Sequence, residues 1–404
     1  MNIKEKNSLE GNLDKVYLMN FFDGLQFTLP IFAIFLLDNG MNLAQIGLIL
    51  GGAYIVQFIL DIPFSIWADK HSRKSFLILS NVSFMLLNLI LYLSHSFEMF
   101  FLAYCFNGLG TAFTSGISGA FVYDTLLSLG KEKQYENVQV KIIKNRFVGK
   151  IIAIGAGGYI YHINPRMPFL LQALSSLVCV VIAFRFMEPL CEKSISKTFN
   201  QIKEGAGFLF KHKIIWVTVI VFCFADAIHD ILVNYYQPVM RASGISSLTY
   251  FSAIYIFVNI LGLLGAHFYP KIKSKIDWKN IMVIYLLVNA ICSVFFGIQN
   301  AVLVVFSIAL FTFVTASYDI YISSILHKLV PSSHRATTLS LFGLMYNLFS
   351  FILIYIISFF MDRYSIFVGM LVSALIMLAV LLVFIKIVYN KNRRDEHLLL
   401  ESYY

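Results

Sequence analysis

Charged and polar side chains set inside long apolar runs are the residues of this chain whose types and spacing can do chemistry. Asp23 stands beside Gly24 in the middle of the first apolar run, Asp226, His229 and Asp230 fall within the seventh, and Asp319 falls within the tenth. A charge at such depth is costly to keep, which makes it a functional group by default. Asp226 and Asp230 are four residues apart with His229 between them, so on a helix all three project from one face. Such a face can bind and release a proton, or capture a cationic group on a solute. It can equally be a solvated polar stripe along a wet cavity. Lys150 in the fifth run either pairs with an acid or snorkels to the membrane surface together with Arg146. Gln26, Tyr54, Tyr104, Asn234, Tyr235 and Gln237 are the polar positions expected at a substrate cavity.

The elements that must position these groups are membrane helices. The chain has 404 residues, 59% of them hydrophobic and only 13% charged, with a mean hydropathy of +0.76. A soluble core cannot hide that much apolar surface. Windows of about twenty apolar residues fall near 14–38, 43–67, 75–94, 98–124, 139–162 and 165–187, then near 213–240, 247–269, 279–298, 300–326, 336–361 and 364–388. The expectation is an all-α integral membrane protein of twelve spans, in two six-helix bundles over 14–187 and 213–388. The remaining segments are an N-terminal tail over 1–13, a linker over 188–212 and a C-terminal tail over 389–404. A β-barrel is excluded because the runs are continuously apolar and do not alternate. Lys and Arg crowd one side of this topology, leaving only Arg166, Arg241 and Arg363 on the other. By the positive-inside rule both termini are cytoplasmic. The net charge of +9 then reflects topology and attraction to anionic lipid, and nucleic acid is no partner.

The first thirteen residues are polar and no small-residue cleavage site ends the first run, so no signal peptide is expected. Cys105, Cys179, Cys191, Cys223 and Cys292 occur singly, without metal-ligand or paired spacing. No Gly-x-Ser-x-Gly, phosphate loop or metal-spaced His cluster is present, so neither an enzyme nor a cofactor or metal is expected and any work must draw on a gradient. The linker sequence from Ser194 to Lys213 alternates Ile195, Phe199, Ile202 and Phe210 with charged residues, as a segment lying on the inner membrane surface does. Gly40-Met41-Asn42 after the first run echoes Gly244-Ile245-Ser246 after the seventh, a sign of internal duplication.

Between the second and third runs the sequence Asp61 to Lys74 reads DIPFSIWADKHSRK. Asp61, Pro63, Ala68, Asp69, Arg73 and Lys74 match the pattern Gly-x-x-Ala-Asp-Arg-x-Gly-Arg-Lys, preceded in one bacterial branch by an acid and a Pro. The stretch resembles the loop between the second and third helices of major facilitator superfamily transporters, in a bacterial exporter-like branch. Ser65 and Ser72 replace glycines and Lys70 an arginine. The resemblance implies a conformational latch in which Asp69 faces the N-terminus of the eleventh helix, near Ser332, Ser333 and Arg335, while Arg73 pairs with Asp124. The fourth run, FLAYCFNGLGTAF, keeps the glycines of a second pattern of the superfamily, but Tyr104 stands where many proton-driven members carry an arginine. Gly149 and Gly155 to Gly158 resemble a glycine pattern associated with exporters, with Ile154 in place of its Pro. Small residues so spaced also allow close helix packing.

The expected function is proton-coupled export of small amphipathic or cationic organic compounds by alternating access, by a monomer in the bacterial plasma membrane. Its partners are a small-molecule substrate, protons and the lipid bilayer. Uptake of a specific metabolite or siderophore-like compound is the alternative within transport, and a transporter-like channel or sensor without turnover is the alternative outside it.

Overall fold

A backbone that enters lipid must satisfy its own hydrogen bonds, which limits continuous apolar runs like these to helices. The computed structural model describes residues 3–68, 72–189, 207, 213–245, 247–273, 276–329 and 332–388. Asp69, most of the linker and the tail 389–404 lie outside the described residues, as do the side chains of Asp319 and Arg335. Among the described residues there are α1 (Ile3–Gly24), α2 (Phe32–Asp38), α3 (Leu43–Ala68), α4 (Arg73–Leu93), α5 (Phe97–Thr114), α6 (Ile117–Ser128), α7 (Tyr135–Ile163) and α8 (Met167–Phe184). The second set comprises α9 (Lys213–Ala242), α10 (Leu248–Lys273), α11 (Trp278–Gly297), α12 (Ala301–Leu329), α13 (Ser332–Arg363) and α14 (Ile366–Val388). Nine described helices are long and apolar enough to cross a membrane. Large apolar side chains such as Ile59, Leu93, Val302 and Leu382 are exposed on them, as lipid-facing positions require.

Two expected spans are interrupted. The run near 14–38 breaks between Gly24 and Phe32, and the run near 98–124 breaks after Thr114, where Gly116 takes φ +71°. That left-handed conformation is open to glycine at no steric cost. The polar segment expected to be a tail also differs, because α1 begins at Ile3. The side chain of Asn12 is fully buried; its Nδ2 donates to the Met187 carbonyl at 2.7 Å and its Oδ1 accepts from the Met187 amide at 3.0 Å. Glu10 pairs with Lys131 at 2.8 Å. Such contacts to distant positions have no signature in a local hydropathy window.

The chain forms two compact units. Unit 1 comprises residues 1–35, 52–197 and 248–253, and unit 2 comprises 36–51, 198–247 and 254–404. Unit 1 is built on α4 packed against α5 and α8, and on α1 packed against α7. Its apolar centre gathers Phe76, Phe113, Phe121, Val122, Leu126 and Ala183.

In unit 2, α9 packs on α13 and α12, and α11 on α14. The short stretch 36–51 belongs to this unit through named contacts. Arg241 pairs with Asp38 at 2.7 Å, Asp362 accepts from the Leu43 amide at 3.2 Å, and Tyr235 donates to the Leu43 carbonyl at 3.0 Å. The echo between the two runs of Gly-x-x is structural as well. Gly40 and Gly244 have φ +82° and +87°, and in both the following residue donates back five positions, Met41 to Leu36 and Ile245 to Met240. These are paired Schellman ends. After the first of them, Asn42 and Gln45 cap one another's amides at 2.8 and 3.0 Å, a reciprocal box that starts α3.

Candidate functional site

A cavity of about 450 Å³ lies wholly within unit 1, inside the size range of small-molecule sites, which is about 300–1,000 Å³. Both helix breaks open onto it. Gln26 lies within the first break, and Ser115 and Ser118 flank the second. Irregular backbone at membrane depth persists only where protein or a wet cavity satisfies it. Gln172 on α8 does part of this, its Oε1 accepting from the Thr28 amide at 3.2 Å and the Thr28 hydroxyl at 2.8 Å.

Glycine brings the charged wall together. A Cβ at Gly149 would stand on the Phe21 carbonyl oxygen, one at Gly24 on that of Arg146, and one at Gly157 on that of Phe27. With no Cβ at these places α1 and α7 touch backbone to backbone. That contact sets Asp23 against Arg146, whose Nη2 donates to Asp23 Oδ2 at 2.8 Å. The two side chains keep 32% and 52% of their surface open, so the pair remains accessible from the cavity. Sequence alone gives Arg146 a snorkelling role; in the structure it is one side of the cavity's ion pair. Gly155, in the same glycine run, faces open space.

The rest of the wall is polar and rich in carboxamides. Asn81 and Asn88 are seven apart on α4, so they share a face two turns long, and Asn20 stands on α1. Each donates its Nδ2 to the carbonyl four residues earlier, at 2.7, 2.8 and 2.9 Å. A carbonyl can only accept, so the amide nitrogen must point there and Oδ1 remains as an acceptor at the cavity wall. Gln57 and Asn107 complete this set. None of Asn20, Gln57, Asn81, Asn88, Asn107 or Gln172 stood out in the sequence. The signal was the i, i+7 pair of Asn in an otherwise apolar helix.

Of the cavity residues expected from sequence, Gln26 lines it. Tyr104 instead stacks on Phe32 with ring centroids 4.6 Å apart, and Tyr54 is half-buried on α3 without lining it. Tyr235 is fully buried in unit 2, its hydroxyl held by the Leu43 carbonyl and, at 2.6 Å, by Ser358. Gln237 is buried as well, and Asn234 donates to the Asp230 carbonyl at 2.8 Å. The seventh-run face is engaged by its own unit. Asp230 accepts from the Tyr346 hydroxyl, and His229 stacks on Phe311 with centroids 5.2 Å apart and lies 3.5 Å from Thr312. Asp226 also lies on α9 and has interactions of its own.

At the start of α4 the expected pair of Arg73 and Asp124 is present, while Lys74 enters through its amide. Pro63 lies within α3, which runs on to Ala68. Asp61 lies against Ser115 at the second break, with its Oδ1 buried and without a hydrogen-bond partner among the described residues. Sequence reading overlooked Glu188. Its carboxylate accepts from the Arg73 amide at 2.8 Å, the Lys74 amide at 3.1 Å and the Ser72 hydroxyl at 2.5 Å, which places a negative charge on the N-terminus of α4. Glu188→Ala is expected to destabilise the protein by about 1–2 kcal/mol, read as a lower thermal midpoint in detergent, with Glu188→Gln losing less. An unchanged midpoint in Glu188→Ala would remove this cap from the account.

An all-helical membrane protein with a polar cavity bounded by broken helices is the architecture of a secondary transporter. The chain belongs to the Major Facilitator Superfamily, whose family model matches residues 16–128 and 146–352. It is a multi-pass membrane transporter and not an enzyme. It is 26% identical over 333 residues to the uncharacterized transporter BU466 of Buchnera aphidicola, covering 79% of this chain and 82% of that one. It is 23% identical over 304 residues to Multidrug resistance protein 2 of Bacillus subtilis, covering 72% and 74%. In fold it is similar to the crystal structure of nucleoside transporter NupG, with a TM-score of 0.77 at 18% identity over 97% of this chain and 100% of that one.

Proposed function

We propose that this protein is a proton-coupled exporter of small organic compounds that carry a cationic group, working by alternating access in a bacterial inner membrane. The observation that carries the reading is the ion pair of Asp23 and Arg146 on the wall of a partly open polar cavity. An accessible carboxylate held by a guanidinium has two ways to exchange partners. It takes a proton, or it takes the cationic group of a solute, and in either case Arg146 is released. One carboxylate serving both in turn is a minimal antiporter. Arg146 thus supplies from α7 the cation that Tyr104 does not supply from the fourth run. Relatives that include a multidrug resistance protein favour outward transport. Twelve spans follow if α1 with α2, and α5 with α6, each cross once as a broken span, which puts both termini on one side, and the asymmetry of Lys and Arg makes that side cytoplasmic. The pair of Arg73 and Asp124, with Asp69 and Arg335, forms the latch on the cytoplasmic side in this reading, and Asp226, His229, Asp230 and Asp319 stay outside the proton step.

The test is proton movement across liposomes holding the purified protein under an imposed pH gradient while organic amines are added. Amine-dependent proton flux opposite in direction to the amine is the expected result. Flux in the same direction would establish uptake, and amine movement without proton flux would exclude proton coupling.

A further inference from the structure

We infer that the cavity of unit 1 selects small hydroxylated amines, such as amino sugars, over lipophilic cations. The inference deepens the proposed function and rests on its assignment of the cavity as the substrate site.

Its basis is the balance of donors and acceptors on the wall. Sixteen of the 22 lining residues are polar and six are apolar. The acceptors include the Asp23 carboxylate and the Oδ1 atoms of Asn20, Asn81 and Asn88, whose nitrogens are already committed to their own helices. The donors include Arg146 and the nitrogen of Gln172, whose oxygen is occupied by Thr28, beside the carboxamides of Gln26, Gln57 and Asn107, which offer both kinds of group. A wall of this kind is complemented by groups that both donate and accept, which is what a hydroxyl does. Asp23, once Arg146 leaves it, is complemented by one ammonium. A lipophilic cation would satisfy Asp23 and leave the carboxamide oxygens dry and unpaired, a penalty that sites built around hydrogen bonds use to reject such analogues. The volume of about 450 Å³ admits a ring of six atoms with its substituents and some water.

The experiment is equilibrium binding of radiolabelled glucosamine to the full chain in lipid nanodiscs. Competitors are cyclohexylamine, which has the ring and the ammonium without hydroxyls, glucose, which has the hydroxyls without the ammonium, and tetraphenylphosphonium. Glucosamine is expected to bind more tightly than each of the three by about tenfold or more. Asn88→Leu and Asn81→Leu should each weaken glucosamine by about tenfold while leaving cyclohexylamine nearly unchanged. Cyclohexylamine or tetraphenylphosphonium binding as tightly as glucosamine would overturn the inference, and the comparison of ligands holds whether or not the variants fold. Absence of glucosamine binding up to millimolar concentration would overturn it too.

The two levels fail separately. Proton flux driven by tetraphenylphosphonium with no glucosamine binding would sink the substrate class and leave the antiporter standing. Selective glucosamine binding with no proton flux would leave the substrate class standing and sink the coupling.

Discussion

Asp23→Asn is expected to abolish the pH-driven part of transport and to weaken exchange of labelled for unlabelled substrate, while the protein remains folded. Asparagine keeps the shape of the side chain but cannot take up or release a proton. Arg146 loses its charge partner, yet with 52% of its side chain open it remains hydrated. The cost of stranding it is therefore about 1 kcal/mol, far from the several kcal/mol of a sealed pair. Flux under an imposed pH gradient should drop below about a tenth of wild type, since an intramembrane acid that carries the coupling ion has no substitute nearby on its own wall. The paired control is Asp226→Asn with Asp230→Asn on α9. That double variant is expected to keep its pH dependence, because Asp230 is held by Tyr346 within unit 2 and lies outside the cavity of unit 1. The opposite pattern, with pH dependence lost in the α9 double variant and kept in Asp23→Asn, would move the proton site to α9.

Gly149→Leu should be the most damaging change that touches no polar group. A side chain there meets the Phe21 backbone, which cannot swing aside as a flexible side chain would. α1 and α7 must therefore part, at a cost of about 1–3 kcal/mol for overpacking. Parting them separates Asp23 from Arg146, so binding should fall by tenfold or more along with the thermal midpoint. Gly155→Leu, six residues on along the same helix, enters open space and should behave nearly as wild type in both measurements. Equal tolerance at the two positions would mean that the helix contact does not hold the ion pair in place.

The resemblance that placed the chain among transporters was carried by short-range signals. The loop after α3 was recognisable because its residues stand within a few positions of one another in the sequence, although their partners do not. The glycines of α7 were legible as packing residues, and the structure confirms this for Gly149, Gly157 and Gly158 while leaving Gly155 in open space. The echo of Gly40 and Gly244 was legible because each performs the same local task, a left-handed helix end.

Apolar runs, charge asymmetry and turn residues determined a helical membrane protein, since each follows from the solvent that a stretch of chain meets and from hydrogen bonds it makes with its near neighbours. Only tertiary structure decided which intramembrane charges meet. Asp23 and Arg146 are 123 positions apart and are joined by a backbone contact that glycines permit. Hydropathy windows passed over both helix breaks, because Leu25 to Ile31 is apolar on average despite Gln26 and Thr28, and Ser115 and Gly116 are small enough to read as continuous. Tyr235 and Gln237 read from sequence as cavity residues, yet both are buried, Tyr235 with its hydroxyl on Leu43 and Ser358. A polar side chain in an apolar run looks the same whether it faces a cavity or a neighbouring helix, and only the packing of several helices around one point separates the two.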